Sequence, residues 1–409
     1  MRRTSIVLII CGVLFLAGAG AWTTFAGSKL VKLPLNTNTT LQYTGHFVTY
    51  VNASTGAALA RPVSTALTID RTIKGVASES SSSTAILTEH LALHYAGTTL
   101  YENNVYAINR TSMDNVASAR AYTFARGNPY PAVGSYYLTL PMNIKPGVTR
   151  MNIWKPETAT TYPLVALRSG AEPSSLDGLS VAWFSGVLPL TPVAPYERTA
   201  LAQRGLPMTI TPASVEAKLT SEGVPVAALT ATLIPKLTPT QLHEVLTVLS
   251  TPVALHYYAF GSGLVATNTR TGAIIKLQSL IDGIAVAPET NGLHTLIGVM
   301  TAYPSVKGVP AALRALRTLA AAPPQPVYEL QYTQTPAAVA LMVSNTKSQL
   351  RQISLVTYYI PIGLLVLGLL LLAGGIVLRL RRRRMLAALA VPTPVPTPSE
   401  EPKPARRVA

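Results

Sequence analysis

Two histidines four residues apart, His90 and His94, are the best candidates for metal ligands in this sequence. Four-residue spacing puts two side chains on one side of a helix and also on one side of a strand. The surrounding residues alternate as in a strand, with Leu87, Leu91 and Leu93 on the opposite face. Catalytic zinc normally takes three protein ligands, and the sequence has no conspicuous third ligand nearby. We therefore interpret both histidines as exposed strand residues and predict no metal site.

A serine between two glycines, at residues 261–263, resembles part of the nucleophile elbow of hydrolases. The full G-x-S-x-G spacing is missing, and a hairpin turn explains the glycines. Carboxylates that could form an acid–base pair are scarce, and four of them stand alone in sequence: Asp70, Asp114, Asp177 and Asp282. The sequence therefore predicts a protein that is not an enzyme, with no catalytic residue and no cofactor. An enzyme whose site is assembled from distant residues is the alternative.

Two apolar runs near the ends of the chain predict membrane-spanning helices. Residues 358–378 are uncharged and end at Arg379, which is followed by four arginines at 381–384. These 21 residues rise about 31 Å as a helix, which matches a hydrocarbon core of about 30 Å. The other run, residues 6–25, follows Arg2 and Arg3. Because basic flanks stay in the cytoplasm, we predict a plasma-membrane protein with both termini cytoplasmic and the central domain extracytoplasmic.

The first apolar run has two interpretations. We favour an uncleaved anchor, and cleavage as a signal peptide after Ala19 or Ala21 is the alternative, because small-x-small patterns end at both residues. Cys11 is the only cysteine, and too few apolar residues precede it for a lipoprotein signal. The exported part therefore holds no intrachain disulfide bond.

The formal net charge of +16 is not a nucleic-acid signal. Residues 379–409 carry eight Lys/Arg against two Glu, and Arg2 and Arg3 add to the same flanks. The exported segment has 23 basic and 15 acidic residues without a run of like charge. We predict mild attraction to anionic envelope polymers or lipid head groups and no nucleic-acid partner.

Period-two alternation after the first anchor predicts half-buried strands. One apolar face is formed by Leu41, Tyr43, Phe47 and Val51, and another by Val63, Thr65, Leu67, Ile69 and Ile73. Further strand-like runs lie at 85–95, 101–109, 136–142, 179–187, 253–260 and 264–277. The predicted fold class is α+β: a large antiparallel β-rich extracytoplasmic domain with short helices, flanked by one transmembrane helix at each end. The turns predicted at 52–57 and 268–273 are similar in sequence. Either the two β-lobes arose by duplication, or a common turn motif occurs twice by coincidence.

Helices are predicted where prolines follow capping residues. A capping box is predicted at Thr238, Pro239 and Gln241, and an amphipathic helix is predicted at 309–321. A further helix is predicted to begin at Pro336 and to continue into the membrane, with a kink at Pro361. Small residues at Ala17 and Ala21, and at Gly368, Gly374 and Gly375, predict close pairing of the two membrane helices. The predicted domains are 1–4 cytoplasmic; 5–26 transmembrane helix or signal anchor; 27–190 β-rich exported lobe; 191–250 Pro-rich helical segment; 251–335 second β-rich lobe with a helix; 336–357 juxtamembrane helix; 358–378 transmembrane helix; 379–409 basic, Pro-rich cytoplasmic tail.

Four segments in the same order resemble landmarks of an actinobacterial membrane family known as the PorA-like porins. They are NRTSMDNV at 109–116, TYP at 161–163, GLSVAWF at 178–184 and TNTRTG at 267–272. In the first and last of these segments, family members usually have an acidic residue where this chain has Asn109 and Asn268. The resemblance implies a cell-envelope protein of the actinobacterial type, its label implies a pore, and it supplies no catalytic residues.

The favoured function is binding, without catalysis, of an envelope lipid or an envelope protein by the β-rich domain, with the lipid bilayer as the other partner. A pore-forming protein is the first alternative and an envelope enzyme is the second. A porin barrel needs strands with lipid-facing apolar side chains and has no need of apolar helices, whereas this chain concentrates its hydrophobicity in two helices. The sequence fixes no oligomeric state.

Overall fold

A computed structural model describes residues 2–26, 31–52, 58–129, 131–167 and 174–389. Two compact units divide the chain: Lys32–Leu350 is one, and residues 1–31 with 351–409 are the other. Residues 53–57 of the predicted turn at 52–57 lie outside the described residues, as does the part of the predicted cytoplasmic tail beyond residue 389.

The Lys32–Leu350 unit is built on one large antiparallel sheet, which confirms the α+β fold class. Along its main path the strand order is β4-β3-β2-β1-β12-β11-β10-β8-β6-β5, with β7 paired to β8 and β9 to β10. The strands are β1 Asn38–Val51, β2 Ala58–Gly75, β3 Thr84–Tyr95, β4 Thr98–Asn109, β5 Arg150–Lys155, β6 Thr160–Ala166, β7 Ser174–Leu176, β8 Leu179–Pro192, β9 Thr209–Ile210, β10 Val253–Asn268, β11 Ile274–Pro288 and β12 Gln325–Gln334.

The predicted alternation matches the burial of β1 and β2. Leu41, Tyr43, Leu67 and Ile69 are buried on one face of the sheet. Val63 was expected on the same face but is 52% exposed. The pairing of β2 with β3 begins only at Leu67, so Val63 lies beyond the end of β3 and has no neighbouring strand on that side.

Two predictions of secondary structure, one of a strand and one of a turn, need correction. Residues 136–142 form only an isolated bridge, Tyr136 with Ile153, and the Leu140 N–H donates instead to the Gly272 carbonyl. Residues 261–263 lie inside β10 and not in a hairpin turn. The register of β10 shifts at this point, and a Cβ on Gly261 would lie 2.7 Å from the Ile281 carbonyl oxygen. These glycines therefore permit close strand approach and a bulge.

The two lobes predicted at 27–190 and 251–335 share this sheet, because β12 pairs with both β1 and β11. The edge strands β4 and β5 also approach each other. Tyr106 and Ile108 of β4 and Trp154 of β5 lie in one core cluster, and bridges from the segment after β4 attach to both edges. The sheet is therefore curled around an interior.

Helices between β8 and β12 form a separate apolar cluster, which contains Leu229, Leu296, Val309 and Leu316. The capping box at Thr238 and the helix predicted at 309–321 are confirmed. The α-helices among the described residues are α1 Arg2–Ala21, α2 Pro195–Gln203, α3 Pro212–Ser221, α4 Val226–Leu233, α5 Pro239–Ser250, α6 Asn291–Thr301, α7 Val309–Ala320, α8 Pro336–Ser354 and α9 Ile360–Leu389.

In the part of the chain that the structure describes, two helical runs are long and apolar enough to be candidate membrane spans, Ile6–Thr24 and Pro336–Leu386. The second run passes through a π-helical segment, Leu355–Tyr359, just before Pro361. There the Ile360 N–H bonds to Leu355, and Pro361 has no N–H to donate. The carbonyl of Val356 instead accepts the indole N–H of Trp22 at 2.8 Å.

The close contact between α1 and α9 is made at Gly12 and Gly368. A Cβ on Gly12 would lie 2.8 Å from the Gly368 carbonyl oxygen. Gly368 was correctly predicted to lie at the helix contact. Ala17 and Ala21 were predicted there as well, but both are exposed. The buried positions of α1 are instead Gly12 and Ala19, seven residues apart, which is the spacing of a left-handed helix pair.

We expect Gly12→Leu to destabilise this helix pair, because the added side chain forces the backbones apart, by an amount on the order of 1–3 kcal/mol. Gly18→Leu is the matched control, since nothing lies within 4 Å of a Cβ at Gly18. Thermal unfolding of the full chain in detergent measures both variants. Equal losses of Tm would show that the Gly12 contact is not specific.

Candidate ligand-binding cavity

The interior of the curled sheet contains a cavity of about 290 Å³. Its walls are mostly apolar side chains on the inward face of the strands, where alternate residues point to the same side. They include Phe47, Ile69, Leu91, Leu93, Leu100, Val327 and Leu330. The volume is at the lower end of the range for small-molecule pockets.

One part of the cavity wall carries charged side chains from several elements. Glu102 lies on β4, Glu157 on the 3₁₀ turn Pro156–Thr158 after β5, and Glu197 in the first turn of α2. Arg204, at the end of α2, contacts Glu102 at 3.3 Å and Glu197 at 3.5 Å. Lys155, at the end of β5, contacts Glu157 at 3.1 Å. We call Glu102, Glu157 and Glu197 the carboxyl cluster.

Local backbone contacts fix α2 against the turn that carries Glu157. The Ala194 N–H donates to the Glu157 carbonyl at 2.8 Å, and the Tyr196 hydroxyl donates to the Pro156 carbonyl. Pro195 occupies the first turn of α2, where its missing N–H costs nothing. Glu197 therefore lies close to Glu157 although the two residues are far apart in sequence.

An ion pair crosses the interior between non-adjacent strands. Lys155 of β5 donates to Asp282 of β11 at 2.6 Å, and three strands of the sheet path lie between β5 and β11. Asp282 also accepts from the Tyr332 hydroxyl at 2.6 Å. A second cavity of about 130 Å³ is lined by Lys155, Asp282 and Tyr332 as well, so these side chains lie between the two cavities.

A buried carboxylate, Glu89, anchors the inner faces of β2, β3 and β4. Its side chain is 0% exposed and pairs with Arg71 Nε at 2.6 Å. Asn104 and the Tyr106 hydroxyl donate to its other oxygen at 2.9 and 3.1 Å. The Arg71 guanidinium also lies 5.4 Å from the centre of the Tyr137 ring. Every partner of Glu89 is therefore supplied by the protein, as a buried charge requires.

Burial changes the acidity of the carboxyl cluster. Burial, with the charge of Glu157 as a further cause, raises the pKa of Glu102 to about 7. Burial also raises the pKa of Glu197 to about 8, against the opposing effect of Arg204. Burial by itself lowers the pKa of Lys155, but Asp282 and Glu157 together raise it well above its usual value. Lys155 and Arg204 therefore stay charged near neutral pH, whereas Glu197 is largely protonated and Glu102 is partly protonated.

Two oxygens of the carboxyl cluster lack a donor. Glu197 is 2% exposed, and the Oε2 atoms of Glu157 and Glu197 have no hydrogen-bond partner among the described residues. Both residues line the cavity. An unpaired buried oxygen costs free energy, so these atoms provide acceptors for a donor that enters the cavity.

The residues that the sequence analysis considered as metal ligands or catalytic groups lie outside the carboxyl cluster. His90 and His94 are on the outer face of β3, where they contact Asn103 at 2.7 Å and Thr99 at 2.9 Å. Among the described residues there is no group of three His, Cys, Asp or Glu that could hold a metal ion. Ser262 lines the smaller cavity, and of the four aspartates named from the sequence only Asp282 lies in this interior.

The sequence analysis missed Glu89, Glu102, Lys155, Glu157, Glu197 and Arg204. A signal existed for Glu89, which shares the odd-numbered face of β3 with Leu87 and Leu91. A charge on the apolar face of a strand must find a partner in the interior. No comparable pattern marks Glu157 or Glu197, because they lie on a turn and a short helix.

A larger cavity, about 620 Å³, lies between the helices and the ends of β10 and β11. Its lining is mostly apolar. Of its three charged residues, Glu216 and Lys218 are exposed, and Glu289 is paired with His256 at 2.7 Å. It therefore presents no buried polar group that could orient a ligand.

These features define a class: a β-rich protein with an internal cavity and a candidate membrane span near each end of the chain. The chain belongs to the family described as Porin PorA, which matches residues 4–377. The match covers nearly the whole chain and confirms the resemblance. No curated protein matches the sequence.

Proposed function

We propose that this protein is anchored in the plasma membrane by two helices and that its exported domain binds an amphiphilic envelope lipid in the internal cavity, without catalysis. The observation that carries the proposal is a cavity with apolar walls and a charged part. An acyl chain fits the apolar walls, and a polar head group fits the carboxyl cluster. An envelope protein is the alternative ligand that the sequence predicts, but a cavity of this size favours a small ligand.

For the topology we expect both termini in the cytoplasm, because basic residues flank both candidate spans. In a Cys11→Ser background, Ser78→Cys should react with an impermeant thiol reagent on intact cells, and Ser399→Cys should react only after lysis. Ser78 is exposed in the Lys32–Leu350 unit, so access does not limit its labelling. Reaction of position 399 on intact cells would contradict the proposed topology.

For lipid binding we expect a photoreactive long-chain alcohol to label cavity residues of the detergent-purified full chain, with peptides mapped by mass spectrometry. Leu100→Trp should reduce that labelling, because Leu100 lines the cavity and the larger ring occupies part of it. Val63→Trp is the control, since Val63 is exposed on the same sheet. Labelling confined to residues 6–25 and 358–378 would overturn the proposal.

The family description favours a second function, a pore. A transmembrane barrel presents apolar residues to lipid and polar residues to its lumen. In β1 the arrangement is reversed: Leu41 and Tyr43 are buried, while Gln42 and Thr44 are exposed. The Lys155–Asp282 ion pair also crosses the interior. Stepwise single-channel currents from the purified protein in planar bilayers, with a conductance that changes in Lys155→Met, would favour the pore.

A further inference from the structure

We propose that the carboxyl cluster selects amphiphiles whose head group is an amine, and that it discriminates against carboxylate and phosphate head groups. This inference rests on the proposed function, since it assigns the head group of the ligand in the same cavity.

The charge balance of the site is the first argument. Four carboxyl groups, Glu102, Glu157, Glu197 and Asp282, line the cavity, and two cations, Lys155 and Arg204, face them. Lys155 is engaged by both Asp282 and Glu157, and Arg204 by both Glu102 and Glu197. Neither cation is left for an anionic head group. An ammonium group, in contrast, would lie beside four carboxyl groups, and its positive charge would favour release of the protons that Glu102 and Glu197 bind near neutral pH.

The unpaired oxygens are the second argument. Glu157 Oε2 and Glu197 Oε2 are closed to solvent and accept no hydrogen bond from the described residues. An ammonium group carries three donors and no acceptor. The last torsion of a glutamate side chain is broad, so each oxygen can turn toward a donor in the cavity. A charge-assisted bond of this kind is stronger than one from a hydroxyl group.

The position of the cluster relative to the apolar walls is the third argument. Leu100 and Glu102 occupy successive inward positions of β4, and both line the cavity. An alkyl chain against Leu91, Leu93 and Leu100 therefore brings its head group to Glu102. The recognised ligand is an amine with an apolar chain, and a short amine without a chain lacks the apolar contacts.

The test compares three photoreactive probes that share one alkyl chain and end in an amine, an alcohol or a carboxylate, on the full chain in neutral detergent. We expect the amine to label cavity peptides about tenfold more than the carboxylate, a ratio that corresponds to about 1.4 kcal/mol, with the alcohol between them. A short alkylamine should compete poorly, which distinguishes an amphiphile from a free amine.

The double variant Glu102→Gln/Glu197→Gln should remove the preference for the amine while the alcohol still labels. Glu79→Gln, on the exposed turn Ala77–Glu79, should leave it unchanged. Equal labelling by all three probes, or a preference for the carboxylate, would overturn the head-group assignment and leave lipid binding in place. If no probe labels the cavity, lipid binding itself fails. The comparison in the unsubstituted protein decides the question even if the double variant does not fold.

Discussion

Arg71→Ala is expected to lower the free energy of unfolding by about 3–5 kcal/mol, the usual loss when one partner of a buried ion pair is removed. Glu89 has a fully buried side chain and receives its only cationic partner from Arg71, among the described contacts. Without the guanidinium, the Glu89 carboxylate must either keep an unpaired charge or bind a proton. Thermal unfolding of the full chain in detergent should show a Tm lower by an amount on the order of 10 °C.

Two further variants separate the charge effect from the loss of a side chain. Arg61→Ala removes an exposed arginine from the same strand and should change stability by no more than about 0.5 kcal/mol. Arg71→Met combined with Glu89→Gln removes both charges and leaves Asn104 and Tyr106 an acceptor. It should recover much of the loss. If the double variant is as unstable as Arg71→Ala, the ion pair is not what holds these strands.

The second large effect concerns pH and the carboxyl cluster. The pKa of Glu197 is raised from 4.5 to about 8 and that of Glu102 to about 7. A carboxyl group with a higher pKa in the folded protein binds its proton more tightly when folded than when unfolded. These two groups therefore reduce the free energy of unfolding progressively as pH rises from 4.5 through about 8, by an amount on the order of a few kcal/mol.

Glu197→Gln keeps the shape of the neutral acid and cannot lose a proton. We expect it to raise Tm above that of the unsubstituted protein at about pH 9 and to leave Tm nearly unchanged at about pH 5. Glu79→Gln serves as the exposed control. A constant difference between Glu197→Gln and the unsubstituted protein across this range would mean that the pKa of Glu197 is not raised.

The sequence predicts a strand more reliably when buried and exposed residues alternate along it without interruption. In β1 and β2 the buried and exposed residues alternate, so a period of two is visible from composition alone. In β12, Val327, Tyr328 and Leu330 all line the cavity, although a strict period of two would place Val327 on the other face. The pairing of β12 with β11 shifts register at this point. The alternation of β12 is therefore interrupted, and the pattern does not distinguish it from a loop.

The candidate site depends on features that alternation does not encode. Arg71 shares a strand face with Leu67 and Ile69, so its inward position can be inferred. Its partner cannot, because any charge on a neighbouring strand is possible until the strand order is known. The contact of Lys155 with Asp282 requires the sheet to curl, and the curl depends on the approach of β4 and β5.

The pairing of β1 with β12 also determines when the sheet can form. Tyr43 pairs with Gln334 and Thr49 with Tyr328, so one edge of β1 stays unpaired until nearly the whole Lys32–Leu350 unit has been synthesised. Pairing of such distant segments is slow, because the entropy of closing the loop is lost before the contacts are gained. Until then the pair of strands β1 and β2 presents an open edge, which is a site for aggregation. Correct folding of this domain therefore requires that the open edge of β1 does not pair with other chains before β12 has been synthesised and pairs with it.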